Sequence, residues 1–294
     1  MFGLYRPKTL EDALEFLSKN APDVKPLAGG TELLVLIRDK KITTPKYLLD
    51  LSPLKKQLSY VKIEDGKVRI GATTTLYEIS RTFLHSDVRF AGFVDTWKKF
   101  GTLAIRFSAT IGGNVVAGTQ YSDYATLLLA YDATVKAVSS RGERSIPLEK
   151  FILDKRIIDL RPDELVKEVE FAIPPQGSSS SFVKFDRREL LIAGIITGAF
   201  FLALEEGKIR DVKIAFDMVK GKRAPARSHE VESFLLGKTF SEDLIEKAAE
   251  EVLPTYMERI TDWWTTAEYR LDMSKVALKR GLLKCKARIE KGVI

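Results

Sequence analysis

The sequence predicts an α+β protein in two parts, and two observations lead to that prediction. The first is a break in composition at residues 174–181, where Pro-Pro-Gln-Gly is followed by four serines. Such a segment bends easily and buries little, so we predict a domain over residues 1–175, a linker over 176–181 and a second domain over 182–294. The second observation is that strand patterns precede helix patterns beyond the break, which indicates an α+β unit.

The first domain is predicted to mix helices with short strands. Residues 9–19 are predicted to be helical because Thr9 can cap the segment and apolar residues recur at helical spacing. Residues 58–63 and 68–72 alternate polar and apolar side chains around Glu64-Asp65-Gly66-Lys67, which indicates a hairpin. The other predicted elements are strands at 24–27, 47–51, 133–139 and 165–173, and helices at 75–83, 90–100 and 122–131.

The second domain is predicted to be an antiparallel sheet followed by three helices. Gly207-Lys208 supplies a turn between two of its strands. The predicted strands are 182–186, 192–204 and 212–219, and the predicted helices are 228–236, 241–253 and 266–290.

Composition excludes several classes of protein. Apolar residues make up 45% of the 294 residues, which is ordinary for a globular protein. No apolar run approaches the ~20 residues that span a bilayer, and the first residues do not resemble a signal peptide, so we expect a cytoplasmic protein with no membrane span. The net charge of +7 comes from Lys and Arg spread along the chain. We therefore expect no nucleic-acid partner, while a basic face for an acidic partner or a nucleotide stays open.

Two short glycine-rich phrases carry most of the functional information. They are Ala28-Gly29-Gly30-Thr31-Glu32 and Thr110-Ile111-Gly112-Gly113-Asn114, and each follows an apolar segment. Glycine lets a ligand approach the main chain closely, and successive backbone N–H groups in such a turn can hold an anion. Neither phrase fits the Rossmann or Walker pattern. Together they predict two turns that hold the two phosphates of a dinucleotide.

Groups that carry acid–base, nucleophilic or metal chemistry are scarce. The chain has two histidines, His85 and His229, for which we expect surface or helix-capping roles, and it lacks the nucleophile elbow and the zinc-protease motif. Its single cysteine, Cys285, excludes an intrachain disulfide and any all-cysteine cluster made by this chain alone, and we expect it to pack on a helix face. We predict no catalytic and no metal-binding residues, which is typical of a protein whose cofactor carries the chemistry.

The glycine phrases resemble those of a known family. Residues 26–34 are similar to the first flavin loop, and residues 109–117 to the second, of the FAD-binding medium subunits of molybdenum hydroxylases, of the xanthine dehydrogenase and aerobic carbon monoxide dehydrogenase type. Ser122-Asp123 follows at the family's spacing, and Asp262 with residues 267–270 matches a C-terminal pattern. The resemblance covers nearly the whole chain.

The resemblance implies a fold and a set of cofactor contacts. The first domain would be a two-part FAD-binding domain of the PCMH/vanillyl-alcohol-oxidase type, with subdomains of about 1–52 and 53–175. Asp123 would accept a hydrogen bond from a ribose or ribityl hydroxyl, or would cap a helix. Lys184 would place positive charge near the N1–O2 edge of the flavin, or would lie in solvent on an edge strand. The implied FAD-binding residues are Leu27, Ala28, Gly29, Gly30, Thr31, Glu32, Thr110, Ile111, Gly112, Gly113, Asn114, Ser122, Asp123, Phe182 and Lys184.

The resemblance also implies a function. The chain would be the electron-transfer subunit of a molybdenum hydroxylase complex. It would take electrons from an iron–sulfur subunit, which receives them from a molybdenum-cofactor subunit. It would pass them to NAD+ or another soluble acceptor. Two alternatives stay open, a stand-alone flavin-dependent oxidoreductase of the same fold and a non-enzymatic nucleotide-binding module.

Overall fold

The first part of the chain contains three sheets, one of them a two-stranded hairpin, and nine α-helices in the described residues. The computed structural model describes residues 2–186, 194–219, 221–257, 260–263 and 265–294. The strands are β1 (Gly3–Tyr5), β2 (Val24–Leu27), β3 (Tyr47–Asp50), β4 (Val61–Glu64), β5 (Lys67–Gly71), β6 (Thr134–Ser139), β7 (Gly142–Pro147), β8 (Ile152–Asp154), β9 (Ile157–Ile158) and β10 (Leu165–Ala172). The helices are α1 (Leu10–Asn20), α2 (Leu33–Arg38), α3 (Lys55–Leu58), α4 (Leu76–Ile79), α5 (Ala91–Lys99), α6 (Leu103–Ser108), α7 (Ile111–Ala117), α8 (Asp123–Leu129) and α9 (Leu148–Phe151).

Strand order separates a parallel sheet from an antiparallel one. Strands β1, β3 and β2 form a parallel sheet, against which α1 packs through Ala13, Leu14 and Leu17. Strands β4, β5, β10, β6 and β7 form an antiparallel sheet in that order. The short strands β8 and β9 pair only with each other. The α+β prediction is therefore confirmed for this part.

The second part is an antiparallel sheet with helices on one face. Its elements are β11 (Ser178–Phe185), β12 (Ile196–Glu205), β13 (Lys208–Phe216), β14 (Ala226–Arg227), α10 (His229–Leu235), α11 (Glu242–Lys247) and α12 (Ala267–Lys291). Val183, Phe200 and Leu202 face a core shared with α10 and α12, whereas Phe182, Ala199 and Phe201 face the core of the first part. The sheet thus lies between α12 and the pair α5 and α8.

Several predicted elements are confirmed by the structure. Thr9 caps α1 by accepting a hydrogen bond from the N–H of Asp12 at 3.2 Å, and β2 has the predicted bounds. The hairpin of β4 and β5 turns at Asp65-Gly66, both with positive φ. The predicted helix 75–83 is shorter, since α4 ends at Ile79, and the predicted helix 241–253 continues beyond α11 as a π-helical turn, Ala248–Val252. Residues 192 and 193 of a predicted strand lie outside the described residues.

The prediction that the four serines form a solvent-exposed linker is wrong. Ser178, Ser179, Ser180 and Ser181 begin β11 and are all buried. Each hydroxyl has a partner. Ser179 donates to the carbonyl of Val88 and Ser181 to the carbonyl of Gly281, both at 2.8 Å. Small side chains with satisfied hydroxyls let this strand pack closely against both parts of the molecule.

In the described part of the chain, no helix is long and apolar enough to cross a membrane.

Candidate cofactor site

A cavity of about 620 Å³ lies in the first part of the molecule, and both glycine phrases line it. This volume is within the usual range for small-molecule and cofactor sites. Eleven of the fifteen predicted site residues line the cavity: Leu27, Ala28, Gly29, Gly30, Thr31, Glu32, Thr110, Gly112, Gly113, Asn114 and Ser122. The fold therefore brings together two segments that are about 80 positions apart in the sequence.

The first glycine phrase passes very close to the residues that precede the second. A Cβ atom on Gly29 would lie 1.9 Å from the carbonyl oxygen of Ser108, so no other residue fits there without moving the backbone. Gly30 has a φ of 70°, a conformation that side chains resist. Both glycines are therefore required by the protein's own structure.

The first phrase also presents unused donors. In the described part of the chain, the backbone N–H groups of Gly29, Gly30, Thr31 and Glu32 have no protein acceptor. The residues that carry these N–H groups line the cavity and are half-buried or exposed, so the donors are accessible to a ligand. Donors of this kind suit a ligand with several acceptor oxygens, such as a pyrophosphate.

The second phrase is the beginning of a helix rather than a loop. Thr110 caps α7, and its hydroxyl accepts a hydrogen bond from the N–H of Gly113 at 3.1 Å. The N–H groups of Ile111 and Gly112 donate to the carbonyl oxygens of Thr74 and Ala72, both at 3.0 Å. The prediction that these backbone groups hold phosphate is wrong for this structure, because the cap and the turn after β5 use the N–H groups of Ile111, Gly112 and Gly113.

The second phrase instead contributes an open surface and side-chain donors. A Cβ atom on Gly113 would meet only the Thr110 hydroxyl, at 3.0 Å, and would otherwise face open space. Asn114 accepts a hydrogen bond from the N–H of Ala125 at 3.0 Å, and in the described residues its amide hydrogens have no protein acceptor. Ser122 accepts from the N–H of Thr119 at 3.2 Å and fixes the turn before α8.

Charged residues that the sequence analysis missed also line the cavity. Arg156, with a φ of 59° between β8 and β9, forms an ion pair with Glu32 at 2.6 Å, and Arg161 lies farther along the same wall. The pair links the first glycine phrase to the β8–β9 hairpin. Nothing in the sequence near Arg156 indicated a site, because its partner is 124 positions away.

Four predicted site residues do not line the cavity. Ile111 and Phe182 are buried in the core of the first part, and the Phe182 N–H donates to Asp95 at 3.2 Å. Asp123 and Lys184 are also buried, and the Lys184 Nζ lies 2.8 Å from an Asp123 carboxylate oxygen. The solvent-exposed alternative for Lys184 is therefore wrong. Burial lowers the pKa of Lys184, but the attraction of Asp123 outweighs it, so the net pKa is raised.

The remaining candidate groups are structural. Cys285 is buried in the second core, and burial raises its pKa to about 12, so its thiol is inert. The ring of His229 contacts Glu149 and Glu232 at the junction of the two parts. Among the described residues, no group of His, Cys, Asp and Glu could hold a metal ion.

Two family models match the chain and together cover most of it. Residues 1–175 match the FAD binding domain in molybdopterin dehydrogenase, and residues 180–285 match the CO dehydrogenase flavoprotein C-terminal domain.

Individual relatives agree with the family models. The chain is 30% identical to the glyceraldehyde dehydrogenase medium chain of Sulfolobus acidocaldarius over 94% of this chain and 95% of the relative. It is 26% identical to the carbon monoxide dehydrogenase medium chain of Afipia carboxidovorans, covering 98% and 97%. Among solved structures, reconstituted CO dehydrogenase from Oligotropha carboxidovorans matches with a TM-score of 0.90 and 25% identity, covering 98% of both chains. The chain therefore belongs to the family of FAD-binding medium chains of molybdopterin dehydrogenases, and it is an FAD-containing oxidoreductase subunit.

Proposed function

We propose that this chain binds FAD in the cavity between the two glycine phrases and relays electrons between a partner subunit and a soluble acceptor. The observation that carries the proposal is that Gly29–Glu32, whose N–H groups are unused, line the same cavity as Gly113, where a Cβ atom would meet only the Thr110 hydroxyl. These N–H groups and the hydroxyl of Thr31 would hold the pyrophosphate. The hydroxyl of Thr110 and the amide of Asn114 would donate from the other side. When bound, FAD supplies two-electron redox chemistry.

The partner subunits follow from what this chain lacks and from its relatives. The chain has one cysteine, and it is buried, so it cannot supply the thiolates of an iron–sulfur cluster. The relatives are described as medium chains. We therefore propose an iron–sulfur subunit as the electron donor, a molybdenum-cofactor subunit upstream of it, and NAD+ or another soluble molecule as the acceptor.

Lys184 is proposed to influence the flavin as one member of an ion pair rather than as a free positive charge. The residue lies with Asp123 at the beginning of α8, directly after the cavity-lining Ser122. Because Asp123 neutralises most of the charge of Lys184, the pair acts on the flavin as a dipole rather than as a free cation.

The test separates the cofactor from the acceptor. The chain purified alone should bind one FAD noncovalently, and acid precipitation should release it intact. Anaerobic addition of NADH should bleach the flavin absorbance if NAD+ is the acceptor. An aldehyde, a purine or carbon monoxide should leave the absorbance unchanged unless partner subunits are added. Turnover of such a substrate by the isolated chain would favour the stand-alone oxidoreductase instead.

A further inference from the structure

Three polar side chains form one row across the sheet of the second part. Lys184 of β11 pairs with Thr197 of β12. The β12–β13 register, continued one residue beyond β13, places Asp217 opposite Thr197, and the Asp217 N–H donates to the Thr197 carbonyl at 3.0 Å. Directly opposite residues in an antiparallel sheet point to the same face. This face is the one that packs on the first part, where Asp123 begins α8.

Most acceptor atoms in this row are unsatisfied. Asp217 and Thr197 are each 1% exposed and Asp123 is 2% exposed. Among the described residues, neither carboxylate oxygen of Asp217 has a hydrogen-bond partner, nor has the Thr197 hydroxyl or the second oxygen of Asp123. Gly194 packs against the Thr197 side chain, since a Cβ atom on Gly194 would lie 2.7 Å from the Thr197 hydroxyl oxygen. A buried group without a partner calls for an explanation.

The charges around Asp217 do not balance if it is ionised. Lys184 is already engaged by Asp123 at 2.8 Å. Arg270 of α12 donates to the carbonyl of Ile195 and to Asp262, both at 2.7 Å. In the described part of the chain, the titratable groups that interact electrostatically with Asp217 or with Lys184 include Asp123, Asp186, Arg270 and Tyr121. An ionised Asp217 would therefore be a second buried carboxylate without a cation of its own, which is strongly unfavourable.

We propose that Asp217 is a neutral carboxylic acid that stores one proton beside the Lys184–Asp123 ion pair, and that it is a positioning residue through which pH acts on the flavin. As a neutral acid it adds no second negative charge beside the ion pair. It then leaves the ion pair intact. When it loses its proton, a second negative charge competes for Lys184.

The electrostatics of the site support this assignment. Burial, together with the charge of Asp123, raises the pKa of Asp217 to about 8, and the nearby backbone of Thr197 and the charges of Arg270 and Lys184 offset only part of that rise. In the unfolded chain the same group has a pKa of ~3.9. The folded protein thus holds a proton that the unfolded chain has lost, so this group makes the protein less stable as pH rises between about 4 and 8.

Asp217→Asn tests the proton directly, because asparagine is a neutral group of the same shape. Both proteins are unfolded in urea with saturating FAD from pH 5 to pH 7. The ratio of the wild-type to the variant unfolding constant should rise about tenfold per pH unit. Asp65→Asn, in the exposed β4–β5 turn, is the matched control and should show no such slope. A pH-independent ratio, or an Asn variant less stable at pH 7 and above, would overturn the assignment.

A second measurement tests the link to the cofactor, which rests on the proposed position of Lys184 near the flavin. The midpoint potential of bound FAD is titrated in both proteins from pH 6 to pH 9. Near and above pH 8 the wild-type potential should fall below that of Asp217→Asn, because the new negative charge disfavours electron uptake. Parallel potential curves alongside the expected stability slope would refute the link and the position of Lys184, while the neutral acid would stand.

Discussion

Replacement of Gly113 by valine should separate cofactor binding from folding. Gly113 is the third residue of α7 and does not have a positive φ, so a side chain there causes no backbone strain. Glycine is also a poorer helix former than valine. The new side chain would contact only the Thr110 hydroxyl within the protein and would otherwise extend into the cavity. The free energy of unfolding of the FAD-free protein should therefore change by less than about 1 kcal/mol.

The affinity for FAD should fall because the cofactor must avoid the added methyl groups. Overpacking of a fitted site costs about 1–3 kcal/mol, which corresponds to an increase in Kd of about 5–150-fold. The assay is titration of the FAD-free protein with FAD, followed by quenching of flavin fluorescence, with urea unfolding of the same preparation. A folded Gly113→Val protein that binds FAD as the wild type does would refute the location of the site.

Gly112 provides the contrast. A Cβ on Gly112 would lie 2.7 Å from the Cβ and 2.8 Å from the carbonyl oxygen of Ala72, so the protein itself excludes it. Gly112→Ala should lower the stability of the FAD-free protein by about 1–3 kcal/mol. Equal stabilities of the two variants would contradict the assignment of one glycine to the ligand and the other to the fold.

Three further predictions concern buried charges. Asp95→Ala leaves the buried Arg288 without its carboxylate, which lies 2.8 Å away, and should cost about 3–5 kcal/mol in urea unfolding; a loss below 1 kcal/mol would be inconsistent with a buried pair. Burial and then repulsion by a nearby lysine lower the pKa of His85 to about 4. As pH falls, the imidazole of His85 is protonated in the unfolded chain before it is protonated in the folded protein. The free energy of unfolding should therefore fall by about 1–2 kcal/mol between pH 6.5 and pH 4, a range that allows for the partial exposure of the ring. His85→Gln should remove this fall. Lys184→Met leaves Asp123 unpaired, so it should destabilise the protein by a similar amount, about 3–5 kcal/mol. It should also lower the FAD midpoint potential by ~20 mV, which corresponds to a loss of about 1 kcal/mol in the stabilisation of the reduced flavin. An unchanged potential would show that Lys184 does not lie near the flavin.

Some features of the site could be predicted because they depend on local chain geometry. Gly29 and Gly30 are required where two backbones nearly touch and where φ is positive, and both demands are visible in the sequence as glycine. The beginning of α7 was missed because Ile-Gly-Gly has low helix propensity. The cap at Thr110 and a hydrogen bond to the carbonyl of Ala72, in the turn after β5, hold it in the helix.

Features that depend on distant partners could not be predicted. The serines of β11 look like a linker until each hydroxyl is given its acceptor, and Ser179 and Ser181 find theirs about 90 or more positions away in the chain. Phe182 and Lys184 share one face of β11, as alternate residues of a strand do, yet the partner of Lys184 is 61 positions away. Such pairings arise from tertiary packing, which hydrophobic periodicity does not encode.

The arrangement of the two parts implies that the second part acts on the cofactor through one helix. All described residues that line the cavity lie between positions 22 and 166, so the second part contributes none of them. Its sheet instead packs on α5 and α8, and Lys184 holds the first residue of α8 by an ion pair. The residue before it, Ser122, lines the cavity. If FAD binds in this cavity as proposed, a change of charge on the sheet, at Lys184 or at Asp217, would act where α8 meets the cavity and would leave the glycine phrases undisturbed.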